Sequence, residues 1–154
     1  MTIEKRLIDL GISLPSGTAP AANYANAVLT GNLLFIAGKA PLPENGKLPK
    51  GKLGREFSAE DGYRFARSAA LDLIAVMKTE LGSLDRVARI VEVQGFLNTT
   101  EEFEDHPQVL NGCSDLFVEV FADKGVHARS VVGANSLRGG VPLVLKAIVE
   151  VTQP

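Results

Sequence analysis

The sequence predicts an α+β domain in which two long helices pack on one face of a β-sheet. Its 154 residues, 45% of them hydrophobic and 22% charged, have the length and composition of one globular domain. Apolar residues recur with a helical period in two long stretches, and shorter apolar runs between turn residues indicate strands. We therefore assign residues 1–154 to a single domain whose main elements are a hairpin, a helix, a strand, a second helix and two final strands.

A short helix is predicted at the N-terminus. Thr2 is a residue type that caps helices, and three apolar residues then recur at helical spacing: Ile3, Leu7 and Leu10. Gly11 ends the pattern, and the following segment 14–23 contains two prolines and a glycine, so we expect it to be irregular.

A β-hairpin is predicted next. Apolar residues dominate 27–30 and 33–37, and the two residues between these runs, Gly31 and Asn32, are typical of the turns that join hairpin strands. The stretch 41–54 is rich in proline and glycine, and we expect it to be a loop.

Two long amphipathic helices follow from the spacing of apolar residues. The first begins after Ser58, which together with Asp61 resembles a capping box, and ends at Gly82. Its predicted apolar face consists of Ala59, Gly62, Tyr63, Ala66, Ala70, Leu73, Ile74 and Met77. The second begins near Pro107, which suits a first helical turn, and ends before Gly125. Its apolar stripe is Val109, Leu110, Cys113, Leu116, Phe117, Val120 and Phe121.

Three more strands are predicted, at 89–98, 128–134 and 143–151. In the first of them one face is expected to carry Val91, Val93, Gly95 and Leu97. Gly95 is expected to mark a bulge or the close approach of another backbone. Two helices cover only one face of a sheet of this size, so the other face needs a partner, and we expect an oligomer.

Composition excludes several classes of function. A net charge of −2 gives no electrostatic reason to expect nucleic-acid binding. The one basic cluster, Lys47, Lys50, Lys52 and Arg55, falls in the predicted loop and is interpreted as solvated. The apolar runs are too short to span a bilayer, and residues 1–6 lack the apolar core of a signal peptide, so we expect a cytoplasmic protein without membrane contact.

Most residues that could carry chemistry are better explained as structural. The chain has no glycine-rich phosphate loop and no metal-ligand spacing, so no metal is predicted. His106 and His127 stand alone in the sequence, where capping or surface roles are commoner than catalysis. Cys113 lies on an apolar stripe and is predicted to be buried rather than nucleophilic. The acidic residues 101–105 are interpreted as a solvated helix start, and a general acid and base pair there is the alternative.

Arg129 is the exception. It stands in an apolar strand pattern, where a charged side chain must find an anion or reach water. A planar guanidinium holds a carboxylate through two parallel hydrogen bonds, so this residue suits a site for a small acid. An ion pair with a surface acid at a strand edge is the other interpretation.

Several motifs together resemble the Rid family, also called the YjgF or L-PSP endoribonuclease family. They are the segment 20–24 with Tyr24, the hairpin 31–38, the residues 84–87 and 96–98, and Ala128-Arg129-Ser130. The resemblance implies a chorismate-mutase-like fold of the bacillus type, with two main helices on one face of a mixed sheet. It also implies a homotrimer with sheet faces inward and clefts between subunits.

The resemblance further implies an activity and a site. Active members hydrolyse reactive enamines and imines to 2-keto acids and ammonia without a metal or organic cofactor. The residue matching Arg129 binds the substrate carboxylate, and residues matching Tyr24 and the backbone near Gly38 help to position it. A glutamate on the last strand orients the attacking water in those members.

This chain has Lys146 at the position of that glutamate. A charged lysine cannot accept a proton from water, and Glu150, although it has the same strand parity, lies about 13 Å further along. Two other positions depart from the family pattern: Lys39 replaces glutamine, and Arg138 replaces proline. If Lys39 and Lys146 share the cleft with Arg129, the site favours a ligand with more than one negative group. Alternatively, Lys146 points away from the cleft or pairs with a carboxylate.

Three functions follow from this reading, in order of support. The first is a homotrimeric protein that binds a small carboxylate through Tyr24, Gly38, Lys39, Arg129 and Lys146, with weakened enamine or imine deaminase activity in which Arg129 is the catalytic residue. The second is a non-catalytic binding protein for a small anionic metabolite, which Lys146 favours. The third, a ribonuclease, has no support from charge or from stacking aromatic residues.

Overall fold

The computed structural model describes residues 1–153, in which three helices and five strands alternate. In chain order these elements are α1 (Ile3–Asp9), β1 (Ala27–Thr30), β2 (Leu33–Lys39), α2 (Ala59–Leu81), β3 (Val87–Asn98), α3 (His106–Phe121), β4 (Ala128–Ala134) and β5 (Leu143–Val151). Short 3-10 turns lie at Leu84–Arg86, Ala122–Gly125 and Arg138–Gly140. The predicted elements are therefore present, with bounds that differ by a few residues.

The five strands form one mixed sheet in the order β1-β2-β5-β3-β4. Only β3 and β4 are parallel, and the other neighbours are antiparallel. Helices α2 and α3 pack against each other and against the same face of the sheet, whereas α1 contacts α3. The predicted α+β fold with two main helices on one face of a mixed sheet is confirmed.

The helix starts follow the predicted capping chemistry. The Thr2 hydroxyl accepts a hydrogen bond from the Lys5 amide at 3.1 Å and begins α1. Ser58 and Asp61 form a complete capping box at the start of α2, in which each side chain accepts from the other residue's amide. These contacts satisfy amides that a helix leaves unpaired, which is why short local motifs predicted both starts.

The interface between α2 and α3 is tight because Gly112 carries no side chain. A Cβ atom at Gly112 would lie 2.0 Å from the Tyr63 carbonyl oxygen of α2. All seven residues of the predicted α3 stripe are buried, including Cys113, whose thiol pKa is raised by burial. Cys113 is therefore a core residue, as predicted, and its thiol is not activated.

Strand β3 differs from its predicted face pattern. Its pairing with β5 shifts in register between Ile90 and Glu92, so Ile90 is buried and Val91 is only half-buried. The expectation that Val91 shares a face with Val93 is therefore wrong, because an irregularity changes the alternation. Gly95 marks no register shift. A Cβ there would lie 3.1 Å from the Leu110 side chain, so α3 packs closely over this point.

The face of the sheet opposite the helices carries exposed apolar side chains. Val28, Phe35 and Val132 are 56%, 41% and 52% exposed on this face. Phe35 pairs with Ile148, and Val132 pairs with Phe96, so the apolar surface runs across the sheet. We call this the open face. It is the surface that the burial argument predicted to need a partner.

Candidate functional site

Arg129 lies on β4, at the edge of the sheet, and its side chain reaches α3. It pairs in register with buried Val93, which places it on the helix side of the sheet. One terminal nitrogen, Nη1, donates to Asn111 Oδ1 at 2.9 Å and to Ser114 Oγ at 3.0 Å. The other, Nη2, donates to the Pro107 carbonyl at 3.4 Å. The guanidinium is thus oriented by neutral oxygens and retains its full positive charge for an anion.

Ser114 and His127 extend this network. The His127 Nδ1 atom lies 2.6 Å from the Gly125 carbonyl, which only accepts, so Nδ1 carries the proton. Nε2 of the neutral ring then accepts from the Ser114 hydroxyl at 2.9 Å, while that hydroxyl oxygen accepts from Arg129. Sequence spacing gave no indication of a Ser–His contact, because the two residues meet only when α3 packs beside β4. Its clearest role is to fix the position of Arg129.

Burial lowers the pKa of His127 below its ordinary value, and the nearby Arg129 charge lowers it further, against the raising effect of the Gly125 carbonyl. The folded state therefore prefers the neutral ring. An unfolded chain takes up the proton near the ordinary pKa of 6.5 before the folded chain does. Stability from this residue is present above that pH and decreases as the pH falls below it.

We expect the melting temperature to fall between pH 7 and pH 5, and we expect His127→Asn to remove part of this fall. Thermal melts of the parent and the variant at half-unit pH steps measure the difference. His106→Asn is the matched control, since it removes the only other histidine. Identical pH dependence in the parent and in His127→Asn would show that His127 is not held neutral.

Three of the other predicted site residues lie together, towards the β1 edge of the sheet. Tyr24, Gly38 and Lys39 line a cavity of about 270 Å³, with Asp72 of α2 and Arg138 also in its wall. The Tyr24 side chain is 46% exposed, and its hydroxyl accepts a hydrogen bond from the Ala21 amide at 3.2 Å. We call this cavity the Tyr24 pocket.

Lys39 has a different role from the one predicted. Its ammonium group donates to the Thr18 carbonyl and hydroxyl, both at 3.0 Å, and to Asn26 Oδ1 at 2.8 Å. Asp72, which is 1% exposed, accepts from the same Thr18 through its hydroxyl at 2.8 Å and its amide at 3.1 Å. All three Lys39 donors are used, so Lys39 holds the segment that carries Tyr24 and has no donor left for a ligand.

Lys146 lies on the open face, between buried Leu145 and Ala147. The pairing of β2 with β5 shifts so that two residues, Ala37 and Gly38, stand opposite Lys146 alone. This bulge brings Gly38 close to β5, where a Cβ atom at Gly38 would lie 2.7 Å from a Val144 methyl. Lys146 is thus near Gly38 in the sheet, but it is not part of the wall of the Tyr24 pocket.

Within one chain, the structure does not bring Lys39, Lys146 and Arg129 together. Strands β2 and β4 are separated by β5 and β3, a distance of about 14 Å at the usual strand spacing. Arg129 and Lys146 also project from opposite faces of the sheet. The hypothesis of three converging cations is therefore wrong for a single subunit, and the predicted site is divided into two parts.

The basic loop is not simply solvated as predicted. The Lys52 ammonium donates to Asn98 Oδ1 at 2.7 Å, to the Thr99 carbonyl at 3.2 Å and to the Asn135 carbonyl at 2.6 Å. Lys52 therefore fastens the loop after β4, whereas Lys47, Lys50 and Arg55 are exposed. Among residues 1–153 no three His, Cys, Asp or Glu side chains are grouped as metal ligands would be. In the same part of the chain, no helix combines the length and apolarity that a membrane crossing requires.

The residues that sequence reasoning missed are Thr18, Asp72, Asn111 and Ser114. Asp72 gave a usable signal, because it is the one acid within the apolar run from Leu71 to Met77. The other three are ordinary polar residues in a loop or on a helix, and only the tertiary fold reveals their contacts.

Comparison with known proteins agrees with the fold. Residues 4–148 match the family described as "YjgF/chorismate_mutase-like, putative endoribonuclease". The chain is 39% identical to protein TCP17 of Trypanosoma cruzi over 142 residues, which cover 92% of this chain and 89% of that protein. A structure of Atu1372 from Agrobacterium tumefaciens, of unknown function, has a TM-score of 0.88 and 36% identity, with 97% of this chain and 92% of that chain covered.

A second solved structure is even more similar in shape. A "putative endoribonuclease" of Shewanella oneidensis MR-1 has a TM-score of 0.93 and 30% identity, with 98% of this chain and 100% of that chain covered. The resemblance drawn from the Ala128-Arg129-Ser130 and hairpin motifs is therefore confirmed. The chain belongs to the YjgF/chorismate mutase-like family.

Proposed function

We propose that this protein binds a small carboxylic acid in a cleft between the subunits of a homotrimer, with Arg129 holding the carboxylate. The observation that carries the proposal is the division of the site. Arg129 lies at the β4 edge, and Tyr24 and Gly38 lie towards the β1 edge, about 14 Å away within one chain. The two parts form one site only when different subunits supply them.

The division of the site also supports a closed ring. A contact between the β4 side of one subunit and the β1 side of the next uses two different surfaces, and repetition of such a contact closes into a ring. The open face supplies apolar surface for burial inside the ring, with Phe35 and Val132 exposed on it. Ring closure around the open face therefore accounts for both the exposed apolar surface and the divided site.

A structural relative supports a small ligand with a carboxylate. The TdcF protein of Escherichia coli, which has a TM-score of 0.64 and 22% identity to this chain, has been crystallised with bound serine. In this chain Arg129 is already oriented by Asn111 and Ser114, so little ordering is needed when a carboxylate arrives. An endoribonuclease activity, which the family description names, has less support because the chain carries a net charge of −2.

We further propose that the protein hydrolyses reactive enamines or imines only weakly. Lys146 is exposed on the open face beside the Gly38 bulge, where the family pattern has glutamate. An ammonium group cannot act as a general base, and a positioned base contributes about 100-fold or more to such a step. Binding is therefore the principal function, and deamination is the second candidate.

Release of pyruvate from freshly generated 2-aminoacrylate tests this assignment. We expect a low rate for the parent, an increase of about 100-fold for Lys146→Glu, and no comparable increase for the control Lys146→Gln, which removes the cation without supplying a base. A parent rate unchanged by Lys146→Glu and lost in Arg129→Gln would show that the parent is already an efficient deaminase. Equal increases in both Lys146 variants would show that the positive charge, rather than the missing base, limits the rate.

A further inference from the structure

The Tyr24 pocket contains one cation that the protein itself does not neutralise. Three charged residues line the pocket: Lys39, Asp72 and Arg138. Lys39 and Asp72 are both buried and are linked through the Thr18 hydroxyl, so their charges compensate each other. Among residues 1–153, by contrast, the Arg138 guanidinium has neither a hydrogen-bond partner nor an ion-pair partner. The net charge of the pocket wall is therefore the charge of Arg138.

The loop that carries Arg138 is fixed at both ends. Lys52 donates to the Asn135 carbonyl at 2.6 Å, before Arg138, and the Gly51 amide donates to the Gly140 carbonyl at 2.9 Å, after it. Gly139 and Gly140 have φ values of 62° and 69°, which a residue with a side chain rarely adopts, so the turn depends on these glycines. The backbone of Arg138 is thereby held at the pocket before any ligand arrives.

The rest of the pocket wall is mostly apolar. It is formed by small and aliphatic residues: Ala19, Ala21, Ala40, Pro41, Pro43 and Leu48. Such a wall suits a short aliphatic chain, and an arginine fork suits a carboxylate or another planar anion. A pocket of this kind binds the anionic end of a ligand whose carbon chain lies against the wall.

We propose that Arg138 determines specificity, and that the ligand is a short aliphatic acid with a second anionic group. This inference rests on the proposed function, in which Arg129 of the neighbouring subunit holds the first carboxylate. The second group then pairs with Arg138, while the carbon chain between the two groups passes Tyr24 and Gly38. Arg138 stands where the family pattern has proline, so this contact is a property of this chain rather than of the family's substrate site.

Isothermal titration with two matched probes tests the inference. The probes are 2-oxopentanoate and 2-oxoglutarate, which share a five-carbon chain and differ only in the terminal carboxylate. We expect the parent to bind 2-oxoglutarate at least about tenfold more tightly. Arg138→Gln is expected to remove this difference by weakening 2-oxoglutarate alone. Lys47→Gln is the control, because it removes the same charge from a neighbouring exposed loop, and it is expected to leave both affinities unchanged.

The outcomes separate this inference from the proposed function. Equal affinities of the parent for the two acids, or equal effects of Arg138→Gln on both, would overturn the role of Arg138 and leave the carboxylate site intact. Arg129→Gln should weaken both acids if the proposed function holds. A parent that binds neither acid would overturn both proposals.

Discussion

Asp72→Ala is expected to lower the free energy of unfolding by about 3–5 kcal/mol, which is a large fraction of the stability of a small domain. Asp72 is 1% exposed and Lys39 is 4% exposed, so neither charge is solvated by water. Removal of the carboxylate leaves the Lys39 ammonium without its compensating charge and takes two hydrogen bonds from Thr18. Urea denaturation followed by circular dichroism measures the loss.

Two further variants identify the cause of that loss. Glu80→Ala removes an exposed acid from the same helix, and we expect it to change stability by no more than about 0.5 kcal/mol. The double variant Lys39→Met/Asp72→Leu replaces both buried charges, so its loss should be clearly smaller than the sum of the single losses. Additive losses, or an Asp72→Ala effect below about 1 kcal/mol, would show that the two charges are not coupled.

Arg129→Gln is expected to weaken binding of a small carboxylate by about 10-fold to 100-fold. Charge-assisted hydrogen bonds contribute about 1.5–3 kcal/mol, and glutamine retains polarity without the charge or the fork. Titration calorimetry with 2-oxopentanoate measures the change. The free energy of unfolding should change little in comparison, since Arg129 is only half-buried at the sheet edge.

Arg129→Lys and Asn111→Ala refine this prediction. Lysine keeps the charge but cannot form two parallel bonds, so we expect it to recover only part of the lost affinity. Asn111→Ala removes the Nη1 acceptor at 2.9 Å, so the guanidinium is less well oriented and affinity should fall by a smaller factor. Full affinity in Arg129→Gln would mean that the carboxylate binds elsewhere.

The sequence predicted those features that depend on residues close together in the chain. The Ser58 and Asp61 capping box, the Gly31-Asn32 turn and the α3 stripe are local patterns, and the structure has each of them. The family resemblance came from the same kind of local motif. Local geometry thus accounts for most of the fold.

The missed features depend on contacts between distant residues. Lys39 meets Thr18 and Asp72 only when α2 packs on β2, so the sequence could not show that its ammonium is fully used. The irregular register in β3 is another example, because alternation alone predicted Val91 rather than Ile90 in the core. The divided site has the same origin, since only the strand order separates Arg129 from Tyr24.

Mixing of two defective subunits tests the central claim, that each site is shared between subunits. Arg129→Gln and Tyr24→Ala are purified separately, shown to have lost binding of 2-oxopentanoate, and then unfolded and refolded together in equal amounts. If one subunit supplies Arg129 and the next supplies Tyr24, random assembly restores about a quarter of the sites. Calorimetry should then find a stoichiometry near one quarter with parental affinity. No restored sites in mixed oligomers would contradict the account, because it would place Arg129 and Tyr24 of a single chain in the same site.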